Sequence, residues 1–597
     1  MLKFPYGISD FYSLITEGYL YVDRTDRIPL LEQAGKQLLF LRPRRFGKSL
    51  LLSTLENYYD VAKADEFERL FGQLAIGQNP TPLHSQYLIL KWDFSMVSPL
   101  GDAERIQQAL HNHINGSIEY LSAYYGNILN YEITLDKTDA LRSFQSLLAA
   151  IQQTPYRLYL LIDEYDNFAN EVLMSGQSRG SNRYKDLLYG EGMIKTLFKA
   201  VKSAGSGLGL DRAFITGVSP VVLSDVTSGY NVARNISLKP ELNDLCGFGE
   251  SDIQTTLGQM TESAERAQDA QSTMRTFYNG YAFAYDQQPL VYNPTLALYF
   301  LRHLQEYGQH PQNLLDSNLA MDRGKINYIA RLPNGEQVIL DALDQDHPPA
   351  VAELSYRFGI QDMLYTAKDN TFMVSLLYYF GVLTLAGRTP LGKLAFRVPN
   401  LVVRRLYVEQ IRDMLLPDLN RDEAVRAAEA LYSTGKMQPL CDFIEGRYFK
   451  AFDNRDYRWA NELTVKTAFL TLLFNDTFYI MDSETALERD YAISEAALTM
   501  IVRPDMRQYQ LLDVLIEFKY VGLQELGLTG DGARKRERQA LAALPPVAQR
   551  LAQSQHKLEG YRATLQSAYG ESLRLRAYSV VAIGFERLVW RELAVSE

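Results

Sequence analysis

Residues 37–55 read QLLFLRPRRFGKSLLLSTL, and the fold class turns on this stretch. The apolar run Leu38–Leu41 reads as a short buried strand. A basic loop follows, closing on Gly47-Lys48-Ser49, and leucines then recur as on an amphipathic helix. Strand, loop and helix in this order are what a P-loop requires. Backbone N–H groups at a helix N-terminus donate to phosphate oxygens, Lys48 adds positive charge, and the Ser49 hydroxyl can ligate Mg²⁺. Gly47 lets the backbone approach a nucleotide closely, and Arg45 in the same loop is a further candidate phosphate contact. One position departs from G-x-x-x-x-G-K-[ST]: Arg42 stands where the first glycine is expected. Taken alone, the half-motif also fits a basic turn before a surface helix.

A second element strengthens the first reading. RLYLLIDEYDN (157–167) is an apolar strand ending in Asp163-Glu164. Beside a P-loop, Asp163 is expected in the Mg²⁺ shell and Glu164 is expected to orient and polarise the attacking water. A strand followed by an acidic turn is the bland alternative, but its pairing with the upstream strand-then-GKS is less common by chance. A third strand, RAFITGVSP (212–220), ends in Thr216 and Ser219, either of which can contact the γ-phosphate or the water. Arg234, in NVARNISL, is a candidate for neutralising developing charge. For these last residues a strand cap and a surface arginine are the structural alternatives.

Working outward, Gln37–Leu41, Leu88–Phe94, Leu158–Ile162 and Ala213–Thr216 read as buried strands separated by helical patterns. Residues 1–290 are therefore expected to form an α/β P-loop domain on a mostly parallel sheet, with ligands at the C-terminal strand ends. Residues 291–445 read as a mainly helical middle or lid region, for example LYVEQIRDMLL (406–416) and AVRAAEALYS (424–433). Residues 446–597 change character again. A helix over Glu462–Leu473 precedes strands near Arg489–Ile493, Leu498–Val502 and Leu511–Tyr520. The charged run GDGARKRERQ (530–539), a helix over Val547–Ser567 and the strand SVVAIGF (579–585) follow.

Composition sets the limits. The chain has 597 residues, 47% hydrophobic and 22% charged, which is ordinary for a globular protein of several domains. Its net charge of −10 excludes a uniformly basic nucleic-acid coat, though not a local basic groove. Two cysteines, Cys246 and Cys441, make neither a disulfide framework nor a four-thiolate zinc site, and read as buried small hydrophobes. The N-terminus lacks the features of a signal peptide. The longest apolar run, Leu376–Ala386, is far shorter than the ~20 residues of a spanning helix. A cytoplasmic protein without membrane contact is expected.

The chain also resembles a known family. PYGISDF (5–11), YVDRT (21–25), LRPRRFGKS (41–49), LIDEYD (161–166), ITGVSP (215–220), LCGFGESD (245–252) and FYNGYAF (277–283) occur in order. VYNP (291–294), SLLYYFGVLT (375–384) and VPNLVV (398–403) follow. This set is similar to the bacterial AAA-ATPase-like family whose members carry a C-terminal nuclease-like domain of the PD-(D/E)XK superfamily. The resemblance extends over nearly the whole chain and includes the RPRRFGK[ST] form of the P-loop. It implies ATP as the nucleotide, with Mg²⁺. The aromatic motifs read as core packing.

The C-terminal part carries a second candidate site. In LLDVLIEFKYV (511–521), Glu517 and Lys519 share one face of a strand. Glu-x-Lys at the end of an apolar strand fits a nuclease in which the carboxylate binds a divalent ion, Mg²⁺ or Mn²⁺, and the ammonium positions water. Glu462 is a further candidate metal ligand. Gln555 and Tyr561 occupy helix positions that the resemblance associates with such domains. The basic run Arg534, Lys535, Arg536 and Arg538 can lie against the phosphates of DNA or RNA, or can be a solvated face. The resemblance also predicts an aspartate one strand earlier, where Thr499 stands, and threonine is a poor Mg²⁺ ligand beside a carboxylate. Asp513 and Glu495 are possible replacements. Two functions follow. One is an ATPase coupled to a nuclease-fold domain acting on nucleic acid. The other is a nucleotide-gated binding or signalling protein with a degenerate, non-cutting module. The residues leave the oligomeric state open.

Overall fold

The computed structural model describes residues 1–98, 103–167, 195–220, 233–285, 289–314, 323–343, 348–356, 358, 369–415, 421–449, 462–481 and 497–594. The first sheet contains β1 (Gln37–Leu41), β2 (Tyr87–Asp93), β3 (Arg157–Asp163), β4 (Leu210–Gly217) and the short β5 (Arg234–Asn235) in the order β2-β3-β4-β1-β5. All neighbours are parallel. The strands are apolar along nearly their whole length because helices cover both faces. Tyr59, on the helix Lys48–Tyr59, packs on Tyr87 and Tyr159. Phe144, on the helix Ala140–Ile151, packs on Trp92 from the opposite face. The four expected strands agree with β1 to β4 to within three residues at each end.

The middle region contains the helices Pro294–Tyr307, Asn370–Tyr379, Leu401–Leu415 and Arg421–Thr434. A small antiparallel sheet joins them: β6 (Ala350–Val351), β7 (Thr384–Arg388) and β8 (Leu394–Arg397), in the order β6-β8-β7. Strands of two to five residues leave little alternation to read, which is why the sequence suggests only helices here. The apolar run Leu376–Ala386 is buried up to Leu385; it finishes one helix, turns at Gly381 and starts β7.

The C-terminal sheet runs β13-β12-β11-β10-β9, from β9 (Tyr479–Met481), β10 (Ala497–Val502), β11 (Asp513–Val521), β12 (Leu575–Ile583) and β13 (Arg587–Glu592). The β11–β12 pair is parallel and the others are antiparallel. The helix Pro545–Tyr569 makes the β11-to-β12 crossover, and its Leu558 and Leu565 pack with Leu515 and Ala577. Phe469, from the helix Glu462–Leu473, meets Phe518 on the other face. The strand expected near Arg489–Ile493 lies outside the described residues. One continuous apolar cluster runs from Phe11 to Leu588 through all three regions. No helix among the described residues is long and apolar enough to cross a membrane.

Candidate functional site: the P-loop cleft

Parallel pairing puts the C-terminal ends of β1, β4 and β3 side by side, with β4 in the middle. The P-loop leaves β1 and ends in Gly47, whose φ of +86° is left-handed, before the helix Lys48–Tyr59 begins. A Cβ at Gly47 would meet nothing within 4 Å, so the backbone conformation, and not space, requires glycine. Lys48 is buried, and its Nζ donates to the carbonyls of Arg42 and Pro43 at 3.1 Å each. Burial lowers the Lys48 pKa, and the nearby carboxylates of Glu164 and Asp163 oppose that shift.

Ser49 and Asp163, 114 positions apart in sequence, meet at 2.6 Å: Ser49 Oγ donates to Asp163 Oδ2. Thr216 Oγ1 donates to the other oxygen, Asp163 Oδ1, at 2.5 Å. Thr216 is fully buried, and its hydroxyl is engaged with that carboxylate. Ser219 is likewise turned inward. Its N–H and Oγ donate to Asp166 Oδ2 at 2.8 and 2.9 Å, and Tyr165 Oη donates to its carbonyl at 2.6 Å. These contacts clamp the tip of β3 to the tip of β4.

Glu164 lies next to Asp163 with a φ of +48°, and Arg45 in the P-loop has +67°. Of the four non-glycine residues with positive φ among those described, two are therefore at this site, and such strain persists only where surrounding structure enforces it. Burial raises the Glu164 pKa, with Lys48 pulling it back down. A half-buried carboxylate that holds its proton more tightly is a better base for water.

A cavity of about 300 Å³ opens beside the loop, lined among others by Arg45, Lys48, Ser49 and Glu164. Tyr6, Ile8, Val22 and Phe248 also line it and help to make it largely apolar. Those residues come from PYGISDF, YVDRT and LCGFGESD, whose local sequence carries no ligand signal; only folding brings them to the P-loop. The aromatic motifs are also closer to the site than core packing implied. Phe46 packs edge-on against Tyr281 and Phe283, and Thr295 Oγ1 donates to the Arg45 carbonyl at 3.2 Å.

Arg234 is not brought to this cleft. Register pairs it with Leu38, near the start of β1, and its guanidinium donates to the Ala34 carbonyl at the opposite sheet edge. The residues that are present suit Mg²⁺ bound with a triphosphate: Ser49 and Asp163 supply hard oxygen ligands, and Lys48 lies at a helix N-terminus.

In the C-terminal sheet, Glu517 is fully buried and Lys519 nearly so. Lys519 Nζ lies 3.2 Å from Glu517 and 3.5 Å from Glu462. A second ammonium, Lys557 Nζ, lies 3.4 Å from the same Glu517 oxygen. The residue directly opposite Glu517 on β10 is Ala497, and Thr499 opposes Leu515. Asp513 is no replacement ligand: it pairs with Arg507 at 2.6 Å and accepts from the N–H groups of Val502 and Arg574. Glu495 lies outside the described residues. Gln555 and Tyr561 lie on the crossover helix. Arg534 pairs with Glu586, while Arg538 pairs with Asp442 and Glu445 at 2.7 Å each. Those two arginines of the basic run are held by protein carboxylates and do not form a phosphate track. Among the described residues no group of three or more metal-ligating side chains exists. Among the described residues, Glu517 is thus held between two ammonium groups, with Glu462 on the far side of Lys519.

Residues 5–227 match the model of the AAA-ATPase-like family, described as predicted AAA-ATPase. Over 545 residues the chain is 25% identical to an uncharacterized protein in the vnfD 5′ region of Azotobacter chroococcum mcd 1, covering 88% of this chain and 90% of that one. Two solved structures from Aeropyrum pernix show low similarity. The ORC1 protein in complex with DNA is 11% identical, with a TM-score of 0.25, over 67% of this chain and 96% of that one. The ORC2 protein with ADPNP and ADP is 13% identical, with a TM-score of 0.30, over 65% and 90%.

Proposed function

We propose that this protein is a P-loop ATPase whose nucleotide state is transmitted to its C-terminal, nuclease-like module. The observation that carries the ATPase reading is the 2.6 Å contact between Ser49 and Asp163 beside Lys48. In this reading Lys48 and the amides of the helix N-terminus bind the β- and γ-phosphates. Ser49 and Asp163 hold Mg²⁺, which supplies charge neutralisation on the phosphate oxygens. Thr216 keeps Asp163 oriented. Glu164 takes a proton from water as the water oxygen bonds to the γ-phosphorus; the bond to the β-phosphate oxygen breaks, leaving ADP and phosphate. The apolar side chains of the cavity receive the base, and the AAA-ATPase description of residues 5–227 supports adenine. In purified Lys48→Ala protein, binding of a fluorescent ATP analogue and release of phosphate should both be lost. Wild-type turnover in that variant would show that the site is misassigned.

For the C-terminal module, action on DNA or RNA rests on the resemblance to PD-(D/E)XK domains. The Lys519–Glu517–Lys557 arrangement, with Ala497 and Thr499 on the neighbouring strand, favours a module that holds nucleic acid or protein without cutting.

A further inference from the structure

Transfer of a γ-phosphoryl group needs positive charge on the side where oxygen charge develops, in addition to lysine and Mg²⁺. The described cations near the cleft can be compared for that task. Arg42 is buried and turned toward backbone carbonyls. Arg234 lies near the start of β1. Arg24, on the cavity wall, is held by Asp252 and by the Asp244 carbonyl. Arg45 lines the cavity. Arg44 differs: it leaves the P-loop toward the tip of β3, where its Nη2 donates to Asn167 Oδ1 at 3.1 Å. Asn167 N–H in turn donates to the carbonyl of Glu164 at 2.9 Å, and the Arg44 charge acts on the Glu164 carboxylate. Arg44 is therefore on the side of the loop occupied by the water-activating carboxylate, and it is only half-buried, so it can turn without leaving a core.

We propose that Arg44 is a catalytic residue of the ATPase, contacting the γ-phosphate from within the P-loop and neutralising the charge that develops there. The inference rests on the ATPase reading above. Arg44 stays protonated throughout: its guanidinium exchanges the Asn167 side-chain carbonyl for a γ-phosphate oxygen, while the proton of the attacking water goes to Glu164. The reaction is thus supplied in cis with the charge that other phosphoryl-transfer enzymes take from a separate arginine finger.

The test uses the full-length protein with Arg44→Ala, Arg44→Lys and Asn167→Ala. Steady-state phosphate release, affinity for a fluorescent ATP analogue and affinity for ADP with aluminium fluoride are measured on each. Arg44→Ala should lower kcat by about three orders of magnitude, the low end of the arginine-finger range. Its ATP affinity should stay within about threefold of wild type, because the interaction is made mainly in the transition state. Binding of the aluminium fluoride complex should weaken with kcat, Arg44→Lys should recover part of the rate, and Asn167→Ala should stay close to wild type. Wild-type kcat in Arg44→Ala overturns the inference, as does an Asn167→Ala variant that loses as much. Absence of turnover in the wild-type protein would instead remove the ATPase reading and this inference with it.

Discussion

Arg42 breaks the glycine pattern of the P-loop, and its surroundings explain why it is acceptable. Its guanidinium donates to the carbonyls of Leu41, Ser237 and Leu242 at 2.9, 2.7 and 2.9 Å. It also lies over the rings of Phe40 and Phe283, 4.4 and 4.1 Å from their centroids. The side chain ties the end of β1 to the segment after β5, while the Arg42 carbonyl receives Lys48. Burial pushes its pKa down to about 10, so it remains charged at neutral pH. A hydrogen bond to a charged group contributes about 1.5–3 kcal/mol, so Arg42→Ala should cost at least about 3 kcal/mol in chemical denaturation. Arg42→Lys should recover little, because an ammonium cannot reproduce the planar fork. Stability equal to wild type in either variant would contradict this role. At Glu164 the prediction concerns pH. In the proposed ATPase reading the ionised carboxylate is the base, and its pKa is raised by burial, so kcat/KM should fall as pH drops through a value above the ordinary ~4.3 of glutamate. Glu164→Gln should abolish the profile; an acid limb at the ordinary value would show that the burial effect is absent.

Among the elements, the turn between the helix Asn370–Tyr379 and β7 bears directly on the P-loop. Gly381 has a φ of +77°, and a Cβ there would lie 2.6 Å from Pro43 Cβ. Gly387, within β7, has a φ of +94° with nothing within 4 Å of such a Cβ. Both alanine variants carry conformational strain, but only Gly381→Ala adds a clash against the loop. Gly381→Ala should cost about 1–3 kcal/mol more than Gly387→Ala in denaturant melts, and should also weaken ATP binding. Equal effects would mean that the middle region does not brace the P-loop.

Across the whole molecule, one continuous apolar cluster joins the P-loop region to the C-terminal sheet, and in the proposed reading it is the packed route along which a nucleotide-dependent shift would travel. At that sheet, Glu517 is compensated by Lys519 and Lys557. Incubation with plasmid or RNA and Mg²⁺ or Mn²⁺, with or without ATP, should leave the strands intact, and any binding should weaken steeply with salt. Metal-dependent cutting that disappears in Glu517→Ala and Lys519→Ala would overturn the non-cutting reading.

The sequence by itself determined the strand–turn–helix around Lys48, the acidic end of β3 and the positions of the long strands, because these depend on short-range periodicity and turn chemistry. Only the tertiary structure decided which side chains share a cleft. Inserting β4 between β1 and β3 puts Thr216 within hydrogen-bond reach of Asp163, and parallel register puts Arg234 at the wrong end of its strand. Arg507 takes Asp513 out of the metal-ligand set, and Glu586, Asp442 and Glu445 take up two of the arginines. Glu586, Asp442 and Glu445 lie 50 or more positions from the arginines they hold, and nothing in the local sequence tells a charge that will be paired inside the protein from one left to a ligand. Packing sets that, by bringing distant segments within hydrogen-bond range and shutting out the water that would otherwise solvate them.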